Sequence, residues 1–322
     1  MLFKKINYGE VLESSFVLLK KNIILFLPNL LMVLLSFLLI SVFFYGSGIS
    51  NLLFTKPYIL EDTAALINAF DKLSRTAPFI ITLFIWIAGE LIFGAFFAVM
   101  KFGMIRDVVN NKKTSLKSGL KFAEKNYFNY WIIHLASFFL IFLPLFILLF
   151  VYLLFVGSVE NIILSSFILG IFAIVWLCYA VLMAIRLFFV FPVMTFEKER
   201  YFQSIKHEFH YVKTHMGHTF ISFMIVLAFL VGYHIIKESI EFFGIRFYGA
   251  YLIIVIAILM ALFEVFVSTW EHVFIFKSYL VGKHINELVE KAKKSGNYIP
   301  PRSTKNKVSK KKPASNKKGK SK

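Results

Sequence analysis

Six long apolar runs constrain this chain more than any other feature. They lie at 23–45, 78–100, 131–156, 162–185, 219–236 and 250–276. A helix needs about 20 mostly apolar residues to cross the roughly 30 Å hydrocarbon layer of a bilayer. Each run meets that length or comes close to it. The sixth would be about 40 Å long at about 1.5 Å per residue, so it must tilt or emerge into the headgroups. Buried helices of soluble proteins do not reach this length this often. The first run is too long for the core of a cleavable signal and lies behind a charged, amphipathic segment. Composition agrees, with 58% hydrophobic residues and 40 Phe. Soluble domains are about 45–50% apolar, which excludes an ordinary soluble fold, and disorder is excluded outside the tail. The lone Cys178 excludes a disulfide framework and Cys-rich metal sites. The fold class expected is all-α: a polytopic membrane helix bundle with six transmembrane helices.

Charge sets the orientation. The net charge is +18, from 36 Lys and Arg against 18 Asp and Glu. Taking the segments between runs alternately, 31 of the 36 basic residues fall on one side and 5 on the other. Basic residues are retained in the cytoplasm, so both termini are expected there, in a multi-pass protein of the cell membrane. The membrane domain is expected over 1–294, followed by a disordered Lys-rich tail over 295–322. From Arg302 to Lys322 the chain has nine Lys, one Arg and no acid. Beside the bilayer itself, the partner this suggests is an anionic lipid headgroup surface, at about 1 kcal/mol per basic residue. RNA or the ribosome is the second candidate, and a solvated tail without a partner is the third.

A repeat organises the segments between the runs. Amphipathic helices are expected at 8–22, 116–126, 202–214 and 279–293, lying at the headgroups. The first three each precede an odd-numbered span. The second presents Leu116, Leu120, Ala123 and Tyr127 at helical spacing, the third Phe202, Ile205, Phe209 and Val212. Ser14, Ser118 and Ser204 recur at similar distances before a basic residue or Asn. Lys101, Arg186 and Lys277 close the even-numbered spans, with Lys101 and Lys277 expected to snorkel as anchors. The chain therefore reads as three units of interfacial helix plus transmembrane hairpin.

The stretch Arg186-Leu-Phe-Phe-Val-Phe-Pro192, followed by Glu197, Phe202, Ser204, Lys213 and Gly217, carries a resemblance. It is similar to a junction in a broad group of six-helix prokaryotic membrane proteins. That group includes the membrane domain attached to some glycerophosphodiester phosphodiesterases. The resemblance implies a six-helix membrane domain. The phosphodiesterase barrel of about 250 residues has no room here, so its activity does not carry over.

Few residues offer chemistry. Glu90 and Glu264 lie near the middle of the second and sixth runs, where a charge costs at least roughly 2.5–3.5 kcal/mol. They are the candidates for an ion or substrate site; the alternative is a protonated pair of structural acids bonded to neighbouring helices. Arg186 and Glu271 are candidates for a structural ion pair. His207, His210, His215 and His218 form a cluster in which two neighbours could ligate zinc with an outside carboxylate; the alternative is the polar side of an interfacial helix. Phosphate loops, dinucleotide fingerprints and nucleophile elbows are missing. No enzymatic activity and no cofactor are expected. The leading expectation is a non-catalytic membrane scaffold or regulatory domain. The alternative is a transporter or permease-like bundle in which Glu90 and Glu264 share a polar cavity.

Overall fold

The computed structural model describes residues 6–55, 63–155, 162–197, 202–247 and 250–294. The Lys-rich tail lies outside them. No strand occurs among the described residues. Six helical segments are long and apolar enough to cross a membrane: Ile23–Gly46, Ala77–Val109, Leu116–Leu154, Leu164–Glu197, Met216–Ile240 and Val255–His284. All six expected spans are present, and several run beyond the apolar stretch that announced them.

The first interfacial helix, α1 (Tyr8–Lys21), is built by local rules. Asn7 caps it, its Oδ1 accepting from the N–H groups of Gly9 (3.1 Å) and Glu10 (3.4 Å). Glu10 stands in the positive first turn and Lys20 and Lys21 in the negative last turn. Val11, Ser15 and Leu19, four apart, form its buried stripe. The helix ends at Asn22. A 3-10 turn (Ile23–Phe26) then leads into α2 (Leu27–Gly46), which carries Pro28 in its first turn. Two short helices, α3 (Ile49–Thr55) and α4 (Thr63–Ser74), fill the connection to the second span.

That span is α5 (Ala77–Gly89) and α6 (Ala95–Val109), joined by a π-helical turn at Glu90–Gly94. The third span is α7, a single helix of 40 residues (Leu116–Phe155). The expected separate helix over 116–126 is its first turns. No Pro or Gly lies between Leu120 and Trp131 to interrupt the helix, and Asn126 spends its side-chain amide on the carbonyl of Phe122 (2.8 Å) within the helix. Pro144 lies inside α7 and cannot donate to the carbonyl of Leu140. The fourth span, α8 (Ile162–Arg186), compensates: Tyr179 Oη donates to Leu140 O (2.7 Å) and Trp176 Nε1 to Ile141 O (3.1 Å). A carbonyl in hydrocarbon has no water to turn to, so a neighbouring helix must satisfy it.

After α8 come α9 (Val190–Glu197), α10 (Phe202–Thr214), α11 (Met216–Phe247) and α12 (Ala250–Lys294). The expected helix over 279–293 is likewise continuous with its span, inside α12.

The three units form a closed ring at the basic end. α6, α9 and α12 touch one another at its centre. Each interfacial segment rests on the even-numbered span of the preceding unit: the start of α7 on α6, α10 on α9, and α1 on α12, which closes the ring. The densest core lies here, with Trp270, Phe189, Phe274, Phe276 and Tyr279 all under 2% exposed. The other ends of the spans expose large apolar residues such as Phe84, Phe150 and Leu259. This division has a physical cause. Lipid is as apolar as Leu, so apolar side chains in the bilayer have little need of one another. Where the helices emerge toward water, the hydrophobic effect drives the same side chains into a core.

Close approach of α6 and α7 depends on two glycines. A Cβ on Gly103 would lie 2.6 Å from the Cβ and ring of Phe122, and one on Gly119 2.7 Å from Met104. Overpacking costs about 1–3 kcal/mol. Gly103→Leu is therefore expected to lower the melting temperature of the detergent-solubilised protein. Gly170→Leu, where nothing stands within 4 Å of the new Cβ, is expected to leave it unchanged. Equal melting of the two variants would refute the packing assignment.

Candidate functional site in the membrane interior

The π-helical turn places Glu90. One extra residue per turn shifts the register of the span, and such turns recur at functional sites. Two small residues bound it: Gly89 packs against Leu39 and Gly94 against Met32, both on α2. Tyr127 Oη, from α7, donates to the carbonyl of Ile92 inside the turn (3.2 Å). Glu90 is half-buried, and its carboxylate makes no hydrogen bond to a described residue.

Glu264 comes to the same place from α12. The two carboxylates line one groove of about 420 Å3, together with Asn29, Ser36, Trp86 and Ser268. Glu264 accepts a hydrogen bond from Tyr233 Oη (3.3 Å). The sequence alone could not say whether the two acids share a cavity; their helices converge on α2, and they do.

A second cavity, of about 310 Å3, adjoins the first. Asn29, Glu90 and Ser268 line both, and Lys101, His134 and His272 line the far side of the second. Lys101 is the unexpected member. It does not snorkel: it is 3% exposed, and its Nζ donates to Asn29 Oδ1 (2.9 Å). The Asn29 amide nitrogen in turn donates to Thr269 Oγ1 (2.8 Å). His272 Nδ1 lies 2.7 Å from Ser268 O, a group that can only accept, so this nitrogen carries the proton. Lys101 Nζ, 3.4 Å from the same nitrogen, then has no acceptor there. Lys101 makes no ion pair with a described carboxylate. Glu271 is the acid whose charge acts on it. One bond thus occupies a group with three donors, and the cavity lies beside it.

The expected ion pair between Arg186 and Glu271 is not formed. Arg186 is exposed at the end of α8, with its guanidinium 5.9 Å from the ring centre of Phe209. Glu271 is instead half-buried and lines a cavity with Leu187, Phe223 and His272. Depth was legible in the sequence, but the rotation of each helix was not.

The four histidines are not brought together. No group of three potential ligands that could hold a metal occurs among the described residues. His210 is exposed and His207 half-exposed on α10. His215 stacks on Tyr211, ring centres 4.7 Å apart. His218 is a structural bridge. Its Nε2 donates to Ser278 O (3.0 Å), which fixes the tautomer, and its Nδ1 accepts from Tyr8 Oη (3.0 Å). It thereby ties α1 and α12 to the start of α11.

Comparison with family models, curated proteins and solved structures returns no match for this chain. The geometry therefore carries the functional reading.

Sequence reasoning missed a buried acid on α10. The expected apolar face was Phe202, Ile205, Phe209 and Val212. The buried stripe is instead Ser204, Ile205, Glu208, Tyr211 and Val212, and Phe202 is 66% exposed. Glu208 Oε1 accepts from the Phe189 N–H (2.8 Å), while its Oε2 has no partner among the described residues. Burial pushes this carboxyl up to about 8, against the pull of the Phe189 hydrogen bond. Burial also raises Tyr211, with Glu208 and Tyr8 adding to the effect. Ser204, Glu208 and Tyr211 at i, i+4 and i+7 were the available signal, a polar stripe on a helix facing a core.

Proposed function

We propose that this is a multi-pass protein of the cell membrane, without enzymatic activity, that binds and passes a proton or small cation at a site shared by Glu90 and Glu264. The observation that carries this reading is the single groove lined by both carboxylates. An acid at mid-membrane depth is costly unless a counter-charge or a proton accompanies it, and this groove brings two of them together. A small cation or a proton held in the groove would supply it. The adjoining cavity extends the polar surface past Asn29 and Ser268 to Lys101 and so toward the basic end. A purely scaffolding role would need neither carboxylate, and the resemblance to non-catalytic six-helix membrane domains is compatible with either.

A hydrophobic carbodiimide, which reacts with protonated carboxyls in apolar surroundings, tests the site. Adducts are expected on Glu90 or Glu264 by peptide mass spectrometry, and sodium or potassium ions or raised pH are expected to protect. Adducts that neither treatment reduces would overturn the shared site.

Both termini are proposed to be cytoplasmic, with the Lys-rich tail against anionic lipid. Reporter fusions at either end should read as cytoplasmic; an external reading at one terminus would overturn the orientation.

A further inference from the structure

We propose a second site, for a phosphate group, in the cavity between α6, α7 and α9 at the basic end. This cavity encloses about 510 Å3, the largest volume of those described above. Arg106, Lys121 and Lys125 stand around it, with Asp107 the single acid in its lining. Lys121 and Lys125 are four residues apart on one face of α7, with Ser118 and Asn129 on the same face. Like charges at that spacing repel. Neither lysine makes a hydrogen bond or ion pair with a described residue.

Arg106 is held as a donor plate. Its Nε (3.4 Å) and one terminal nitrogen (3.0 Å) donate to Asp107 Oδ1, and its guanidinium lies 4.5 Å from the ring centre of Phe122. The remaining N–H groups are free to donate. Asp107, the single acid in the lining, is bonded to Arg106, and the two lysines face the cavity without an ion pair to a described residue. The floor is rigid: Tyr130 and Thr195, both buried, are hydrogen-bonded to each other, joining α7 to α9. A tetrahedral anion with several acceptor oxygens matches one guanidinium, two ammonium groups and the Asn129 amide. The cavity lies just before the apolar run that opens at Trp131, at the level of lipid headgroups. The phosphate can therefore come from a phospholipid or from a soluble phosphate ester, and the test separates the two.

The full-length protein in mild detergent is to be titrated with phosphatidylglycerol, with phosphatidylcholine and, separately, with glycerol phosphate. Native mass spectrometry reads lipid retention, and the melting shift reads the soluble ligand. The double substitution Lys121→Gln/Lys125→Gln removes two charge-assisted contacts from an exposed helix face. A matched control, Lys317→Gln/Lys318→Gln, removes two charges from the tail. Phosphatidylglycerol or glycerol phosphate is expected to bind the wild type and to lose at least about tenfold in affinity in the α7 variant alone. Retention of lipid without a glycerol phosphate response assigns the headgroup as the source; the reverse assigns a soluble ester. Equal loss in both variants, no loss in either, or no binding to the wild type would overturn the site.

Discussion

At pH 8.5 the Glu208→Gln variant is expected to melt at a higher temperature than the wild type, and at pH 4.5 the two are expected to coincide. The Glu208 carboxyl is wholly buried, and one oxygen lacks any partner among the described residues. Burial raises it from an ordinary 4.5 to about 8. Below about 4.5 the group is protonated in both folded and unfolded chains and contributes no difference. Between about 4.5 and 8 the unfolded chain releases the proton while the folded chain holds it. Stability therefore falls as pH rises through this window, and the contribution of this group is fully lost above about 8. The loss amounts to about 5 kcal/mol, at roughly 1.4 kcal/mol per pH unit. Glutamine keeps an acceptor for the Phe189 N–H and has no proton to lose. Thermal unfolding of both proteins across this range measures the effect. A difference independent of pH would show that Glu208 does not titrate as its burial dictates.

Lys101→Met is expected to destabilise the protein by about 1–3 kcal/mol, because it leaves the buried Asn29 carbonyl without its donor. The Asn29 Oδ1 acceptor loses its donor, and the Glu271 carboxylate loses the ammonium that acts on it. Adding Glu271→Gln removes the second of these costs, so the double variant should regain part of the loss. Melting of the two single variants and the double variant closes this cycle. If Lys101→Met melts like the wild type, or if Glu271→Gln adds its own loss to it, the pair is not coupled.

The spans were legible because hydropathy over about 20 residues reports directly on burial in lipid. The repeat was legible for a related reason, since a basic residue marks each return of the chain to one face. Local interruptions were harder to read. Asn22 and the following 3-10 turn separate α1 from its span, whereas nothing comparable separates residues 116–126 from α7. Amphipathicity at 116–126 is equally consistent with a free helix and with the first turns of a long one. Rotation about each helix axis was least legible. Ser14 was the expected repeat position, but Ser15 is the buried one, and Ser14 bonds back to its own helix. Lys101 was placed at the correct depth, and its inward turn to Asn29 follows from α2, which a reading of α6 alone does not include. The π-helical turn at Glu90 left only Gly89 and Gly94 as a trace, because it comes from packing against α2 and α7.

The site itself was half legible. Glu90 and Glu264 stood out because acids at mid-membrane are costly. Their convergence depends on the angle between α5 and α12, which no local pattern encodes. Lys101, the basic member of the adjoining cavity, was missed because a Lys near the end of a span has a simpler role as an anchor.

The most direct measurement is ion movement in sealed vesicles containing the purified protein, with a proton- or cation-sensitive dye inside and an imposed potential. Wild-type vesicles are expected to equilibrate faster than empty ones. Glu90→Gln and Glu264→Gln, alone or together, are expected to return the rate to that of empty vesicles while the protein remains folded and inserted. A wild-type rate equal to that of empty vesicles, or an undiminished rate in the double variant, would contradict the shared carboxylate site.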